Sequence, residues 1–332
     1  MISVVVTCFN LERYIGEALD SVARQQDAGD LEIIVVDDGS TDGSRDVIAR
    51  YPNVRCIARA ENGGVLNAML DGIDAASGDI ICLLDGDDVW HPDKVAGVRS
   101  AFSESEVAFV THDVQFVGPN GQKLPIESRP HAVLGKLQAC ERGEAVRLGI
   151  LEHFDYVWLG SAMAFRRSLI DWPGFKRFAE TLPDARNTYQ DWPLAFWIAV
   201  RPEIRLAYVD EVLFSYRLHG ANYSGDASTV ATAARNFRRT RNTVAAMLAT
   251  AREKGCGSAA QMLQKHLAFT EAQLALYEGR RGPALRAYSH AFTHLARRGM
   301  LPRELVRLTA GLLLGPDGLV RFANRLRSPK GN

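Results

Sequence analysis

Ile33-Ile34-Val35-Val36-Asp37-Asp38-Gly39-Ser40-Thr41-Asp42 is an apolar run that breaks within two residues into carboxylates, a glycine and hydroxyls. An uninterrupted β-branched run suits a parallel strand covered on both faces. The polar groups then fall at its carboxyl end, where open α/β sheets receive their ligands. The same pattern recurs on either side. Ile2–Cys8 runs into Thr7-Cys8-Phe9-Asn10, Leu31–Val36 into Asp37-Asp38, Val54–Ala58 towards Glu61-Asn62-Gly63-Gly64, and Ile80–Leu84 into Asp85-Gly86-Asp87-Asp88. Between these runs lie Glu12–Gln26, Thr41–Tyr51 and Val65–Ala75, each long enough for a crossover helix, with Thr41 and Asp42 offering N-cap oxygens. The expectation is a βαβ series with right-handed crossovers.

Further along, Val107–Thr111 and Val114–Val117 are strand-like and Pro119-Asn120-Gly121 signals a hairpin turn, so the sheet is expected to become mixed. Residues 126–155 carry no clear pattern. Tyr156–Phe165 reads as extended, Trp192–Val200 as helix and Leu206–Leu218 as strand. After Ser224 the chain is rich in Ala, Leu and Arg and reads as helical throughout, with a helical hairpin over Ala268–Ala296 turning at Tyr277-Glu278-Gly279-Arg280.

Of 332 residues, 47% are hydrophobic and 23% charged, which excludes a disordered or fibrous chain. The five cysteines form no CxxC pair, arguing against a disulfide scaffold or zinc ribbon and for a reducing, cytoplasmic setting. Ile2–Val6 follows with no basic leader, so no secretory signal is expected, and no apolar run nears the ~20 residues needed to cross a bilayer. The formal net charge is zero, yet residues 1–225 hold 21 Lys/Arg against 33 Asp/Glu while residues 226–332 hold 18 against 6. Net charges of −12 and +12 predict two domains, 1–225 and 226–332.

The strand-end aspartates have no basic partner within their own motifs. Two such charges ~4 Å apart would repel by ~4 kcal/mol at an effective dielectric near 20, so a cation is required. In Asp85-Gly86-Asp87 the two carboxylates stand on one side of an extended segment about 6.6 Å apart, with a glycine between them that admits a ligand to the backbone. One can take a divalent ion and the other a sugar hydroxyl. Oxygen donors with open positions suit Mg2+ or Mn2+ completed by diphosphate. The bland alternative is an acidic loop capping the next helix at Pro92-Asp93.

Taken in order, Val4-Val5-Val6-Thr7-Cys8-Phe9-Asn10, Ile33 to Asp42, Asn62-Gly63-Gly64 and Leu84-Asp85-Gly86-Asp87-Asp88-Val89-Trp90 resemble the family 2 inverting glycosyltransferases, over residues 1 to about 225. The resemblance implies the GT-A fold, a Rossmann-like mixed sheet flanked by helices, here followed by an all-helical C-terminal region. It also implies a nucleotide-sugar donor, with Thr7 and Asn10 beside the nucleoside, Asp38 on the base, Asp85 on the ribose or donor sugar and Asp87 on the metal. Phe9, Asp37, Asn62, Gly63, Gly86 and Asn67 fall in the same donor-binding set, Asn67 being the one polar candidate on a helix face that otherwise reads Leu66, Met69, Leu70. Tyr189-Gln190-Asp191-Trp192 resembles the acidic pair whose last carboxylate is the general base. Asp191 takes that role, with Gln190 where the family often has Glu; its alternative role is an N-cap. Tyr216 to Ser224 resembles the segment that closes over the donor phosphates, with Arg217 on a phosphate and His219 on the diphosphate or the ion.

No P-loop, G-x-G-x-x-G or G-x-S-x-G stretch is present. His290 and His294 lack an acidic ligand nearby and read as solvated helix positions. The expected activity is transfer of a sugar, with a UDP-linked donor as first choice, to a glycan or lipid-linked acceptor in surface polysaccharide or glycolipid synthesis. Two alternatives stand: a nucleotidyltransferase that makes the sugar nucleotide, and a non-catalytic nucleotide- or carbohydrate-binding protein. For the basic C-terminal helices, docking on the acidic half competes with adsorption to an anionic membrane leaflet, worth ~1 kcal/mol per basic residue near the surface. Nucleic acid is disfavoured because the arginines are not interleaved with stacking aromatics.

Overall fold

The computed structural model describes residues 1–26, 29–135, 159–201, 203–220, 229–297 and 301–327. Most of the stretch 126–155, the start of the extended run expected at Tyr156, Cys140 and residues 221–224 of the phosphate-closing segment lie outside these.

The chain divides into two compact units, Met1–Thr181 with Ala185–His219, and Leu182–Asp184 with Gly220–Asn332. In the first, eight strands form one sheet: β1 (Ile2–Cys8), β2 (Leu31–Asp37), β3 (Val54–Ala58), β4 (Ile80–Asp85), β5 (Val89–Trp90), β6 (Val107–Val117), β7 (Ala164–Arg166) and β8 (Arg205–Arg217). Their order is β3-β2-β1-β4-β7-β6-β8-β5. The first four are parallel, β7 runs antiparallel to β4 and β6, and β8 is parallel to β6, so the sheet is mixed as expected. Helices α1 (Ile15–Ala23), α2 (Ser44–Ile48), α3 (Val65–Ala75), α4 (Lys94–Ala101), α5 (Arg129–Leu134), α6 (Trp172–Glu180) and α7 (Asp191–Ala199) flank it.

Strand alternation sorts the core into two layers. Val4, Val6, Cys82 and Leu84 pack with Ile15, Leu19 and Val22 of α1 and Val95 and Val98 of α4. On the other face Gly72 of α3 lies so close to β1 that a Cβ there would sit 2.3 Å from Val5 Cγ1, and Phe178 of α6 stacks on Trp197 of α7 at 5.5 Å.

Three elements differ from the sequence pattern, and in the first of them the run expected to be extended up to Phe165 forms a short 3-10 turn over Gly160–Ala162 before β7. The helix expected over Thr41–Tyr51 is only the five residues of α2, because Asp42 turns its carboxylate onto the Ser44 amide (3.0 Å) and the Glu12 amide (3.0 Å) and so builds a loop first. The two strands expected at 107–117 are one. The polar pair His112-Asp113 does not end it, since buried His112 meets Lys94 and Asp113 accepts from Ser128 and Tyr208; the irregularity survives as register shifts against β8. The turn at Pro119-Asn120-Gly121 forms, with Gly121 at φ 79°, but the returning chain makes only an isolated bridge, Val117 to Lys123.

The second unit is helical: α8 (Val230–Glu253), α9 (Gly257–Tyr277), α10 (Arg281–Arg297) and α11 (Leu301–Arg327). Thr229 caps α8 through the Thr232 amide (3.1 Å). The expected hairpin is α9 and α10, which share a core of Leu274, Leu276, Tyr277, Tyr288 and Leu295. Among the described residues no helix is long and apolar enough to cross a membrane.

Candidate active site

Parallel register places the carboxyl ends of β2, β1 and β4 side by side, Cys8 opposite Asp37 and Thr7 opposite Asp85. Two separate groups of carboxylates result. The first is at β2. Asp37 is fully buried and its Oδ2 pairs with Arg45 Nε at 2.5 Å, while Oδ1 has no hydrogen-bond partner among the described residues. Asp38 is 2% exposed and clasps the next turn, Oδ1 accepting from the Gly63 amide and Oδ2 from the Gly64 amide, both at 2.8 Å, with the Arg59 guanidinium 2.9 Å away. Arg45 and Arg59 are therefore the counter-ions that the local motifs did not show. Gly64, at φ 90°, is obligatory: a Cβ would lie 2.1 Å from the Arg186 carbonyl oxygen. Asn67 donates to the Gly63 carbonyl (2.7 Å), and Asn10, at φ 54°, accepts from the Thr41 amide (2.8 Å). Both side chains brace loops. Phe9 stays 43% exposed and Asn62 half-buried beside them.

The second group gathers Asp85, Asp87, Asp88 and, from the first turn of α7, Asp191. Asp85 Oδ1 accepts from Thr7 Oγ1 (3.0 Å) and from the Gln190 amide, and burial followed by the Asp87 charge pushes its carboxyl up to about 6. Asp88 is buried between Ser161 Oγ (2.6 Å) and the Arg217 amide (2.9 Å), and burial with the charges of Asp87 and Asp85 raises it well above the usual range. Asp87 is more open, its Oδ2 lying 2.9 Å from His219 Nε2, whose ring lies tilted against Tyr14 at 4.8 Å. Asp191 accepts from its neighbour's amide, Trp192 (2.9 Å); burial, then the Asp85 charge, pushes it up to about 7. It is the first residue of α7, and the N-cap position belongs to Gln190, which makes no side-chain cap bond.

Two expected residues have different immediate surroundings. Gly86 faces the protein: a Cβ would meet Ile15 Cδ1 and the Thr7 oxygen at 2.9 Å, so close packing of β4 on β1 explains this glycine. Arg217 is 2% exposed, and its guanidinium donates to the Asp87 oxygen (2.9 Å), the Pro119 oxygen (3.2 Å) and Glu17 (2.6 Å) over the Tyr14 ring. It braces the Asp87 turn in this structure instead of standing open to a phosphate.

Ser161 was missed, although its hydroxyl accepts the Asp85 amide (3.0 Å) while donating to Asp88. Lys94 was missed too. It is fully buried, donates to the Ser161 oxygen (2.7 Å), lies over Trp90 at 4.7 Å, and burial drives its ammonium down to about 7. Neither belongs to a motif, and the exposed Pro92 and Asp93 just before Lys94 give no hint that it is buried.

The donor set suits a divalent ion. Asp87 offers an anionic oxygen and His219 a ring nitrogen, from two strand ends that meet, and their 2.9 Å separation matches neighbouring ligands of an octahedral ion with bonds near 2.1 Å. Away from this edge, buried Asp113 and exposed His131 and Asp210 bring one ligand atom each within 4.8 Å, and His131 is raised by its bond to Asp210.

Residues 3–169 match the model of Glycosyl transferase family 2. The chain belongs to that family. An uncharacterized glycosyltransferase of Nostoc sp. is 31% identical over 231 residues, 67% of this chain and 66% of the relative. The putative teichuronic acid biosynthesis glycosyltransferase TuaG of Bacillus subtilis is 29% identical over 136 residues, 40% of this chain and 53% of the relative. The chain thus spans about two thirds and about half of these relatives. Residues 1–349 of S. aureus TarS, solved with UDP-GlcNAc, superpose with a TM-score of 0.57 at 15% identity, covering 90% of this chain and 92% of that one, which establishes the GT-A fold.

Proposed function

We propose that the chain moves one sugar from a nucleotide diphosphate donor to a hydroxyl of a surface polysaccharide or glycolipid, with inversion at the anomeric carbon. The observation that carries this reading is Asp191, a carboxylate poised at about 7 beside Asp85 at the carboxyl edge of the sheet. An acceptor hydroxyl must lose its proton as it attacks, and a base tuned near neutrality serves best. Asp85, held by Thr7 and Gln190, orients a donor hydroxyl with the oxygen those two leave over. Asp88, Ser161 and Arg217 keep the Asp87 turn and His219 in register. A divalent ion on Asp87 and His219 would neutralise the departing diphosphate. Crowding of four carboxylates supports the cation, and the UDP-GlcNAc bound by TarS and the teichuronic acid role of TuaG favour a UDP-linked donor and a cell-surface glycan acceptor.

The test is a panel of UDP-, GDP- and dTDP-sugars with manganese, following nucleoside diphosphate release and the anomeric proton of the product by NMR. An inverted product that disappears in Asp191→Asn is expected. A retained configuration, or full turnover in that variant, overturns the mechanism; donor binding without turnover under any acceptor favours a binding protein.

A further inference from the structure

We infer that the C-terminal helices adsorb to an anionic phospholipid bilayer, with the elbow of α11 as the inserting element. Helix α11 leaves helical geometry at Gly315 (φ 68°, ψ −176°), just before Pro316. The two leucines that precede this break project outward, Leu313 74% and Leu314 57% exposed. Two turns earlier Leu305 and Val306 are 44% and 52% exposed. Positions 305, 306, 309 and 313 share one helix face, and Thr309 is the only polar residue among them.

The opposite face is fixed to the unit. Buried Glu304 accepts from Gln273 (2.6 Å), Tyr288 (3.3 Å) and Arg307 (3.2 Å), and a Cβ on Gly311 would lie 3.0 Å from Leu276. The apolar face is therefore held outward and cannot roll inward without breaking a buried carboxylate network. On α10, Leu285 and Phe292 lie seven residues apart on one stripe and are 50% and 49% exposed, with exposed Arg281 and Arg286 close by.

Charge selects the occupant. These faces lie in a segment with 18 Lys/Arg against 6 Asp/Glu, so pairing with a second copy would set two strongly cationic surfaces together, whereas an anionic leaflet attracts them. An amphipathic helix of this length, interrupted at a Gly-Pro elbow and flanked by arginines, lies in the interfacial plane. This inference does not depend on the sugar-transfer reading, because binding is measured without donor.

The experiment is flotation of the full chain with vesicles of phosphatidylcholine alone or with an equal part of phosphatidylglycerol, at low and high salt. Binding to the anionic vesicles at low salt is expected, at least about tenfold weaker in Leu313→Glu/Leu314→Glu, with the thermal unfolding midpoint unchanged. Val306→Glu, on the same face but away from the elbow, should give a smaller loss and guards against a folding defect in the double variant. Failure to float with anionic vesicles at low salt overturns the inference, as does equal flotation of wild type and both variants. A concentration-dependent dimer that the double variant abolishes, without vesicle binding, assigns the face to a second copy instead.

Discussion

Two strand ends, those of β2 and β4, carry the same signal in sequence, adjacent carboxylates after an apolar parallel run, and do opposite things in the fold. At β2 the charges are countered from within: Asp37 by Arg45 through one of its oxygens, Asp38 by two loop amides and Arg59. At β4 the aspartates are left to face one another and Asp191, with burial holding three of the four above their usual range. A carboxylate with its hydrogen bonds filled by backbone amides is a loop fastener, and removing it leaves buried N–H groups unmet. A carboxylate with raised proton affinity beside others is a site awaiting a proton, a cation or a substrate hydroxyl. The difference arises from residues far along the chain, Arg59 and the Gly63-Gly64 turn for one end, Ser161, Gln190 and Asp191 for the other.

Substitutions that separate activity from stability test that contrast. The largest effect is expected for Asp191→Asn, a loss of about 10³-fold in turnover with the fold intact, as for removal of a general base. For Asp87→Ala we expect about 10²-fold to 10³-fold with added manganese, and manganese affinity read by calorimetry should fall with it. If Asp87→Ala still turns over normally in saturating manganese, β4 is no more a reactive edge than β2. At β2 the order reverses. Asp38→Asn should cost about 1–3 kcal/mol of unfolding free energy, because one amide loses its acceptor, and Gly64→Ala a similar amount through its left-handed backbone and the blocked Arg186 oxygen. Denaturant unfolding measures both. Turnover per folded molecule falling further in Asp38→Asn than in Asp87→Ala would break the distinction.

The strands and most crossover helices were legible because burial on both faces writes itself as continuous Val, Ile and Leu, and because turns carry Gly and Asn. Boundaries slipped where side chains competed for the backbone, as Asp42 does ahead of α2. The strand end at Asp85-Gly86-Asp87 was legible as chemistry, yet the reason for Gly86 was not, since close approach of Ile15 and Thr7 is a tertiary fact. Arg217 reads as an open cation in the sequence, which shows a guanidinium without showing Glu17 and Pro119 around it. Ser161 and Lys94 were invisible for the same reason: one buried serine and one buried lysine carry no periodicity, and Lys94 meets His112 and Ser161 18 and 67 residues away while Ser161 meets Asp85 76 residues away along the chain.

A last expected effect concerns proton linkage at Asp191. Its folded-state carboxyl is raised from 3.8 to about 7, first by burial and then by the Asp85 charge. Between those values the unfolded chain has released the proton and the folded chain still holds it, so folding is progressively penalised as pH rises, and the penalty is complete above about 7. Lys94 acts in the other direction over a higher window, because its ammonium is lowered to about 7 and the folded chain holds fewer protons above that value. Comparing wild type with Asp191→Asn cancels the lysine, which both carry. The asparagine imitates the neutral acid, so without metal the two proteins should unfold at nearly the same temperature close to pH 4, and the variant should gain a few degrees over wild type by about pH 7.5. A gap that stays flat with pH would mean that Asp191 ionises as freely as an exposed acid, and the β4 edge would then lose the electrostatic tension that sets it apart from β2.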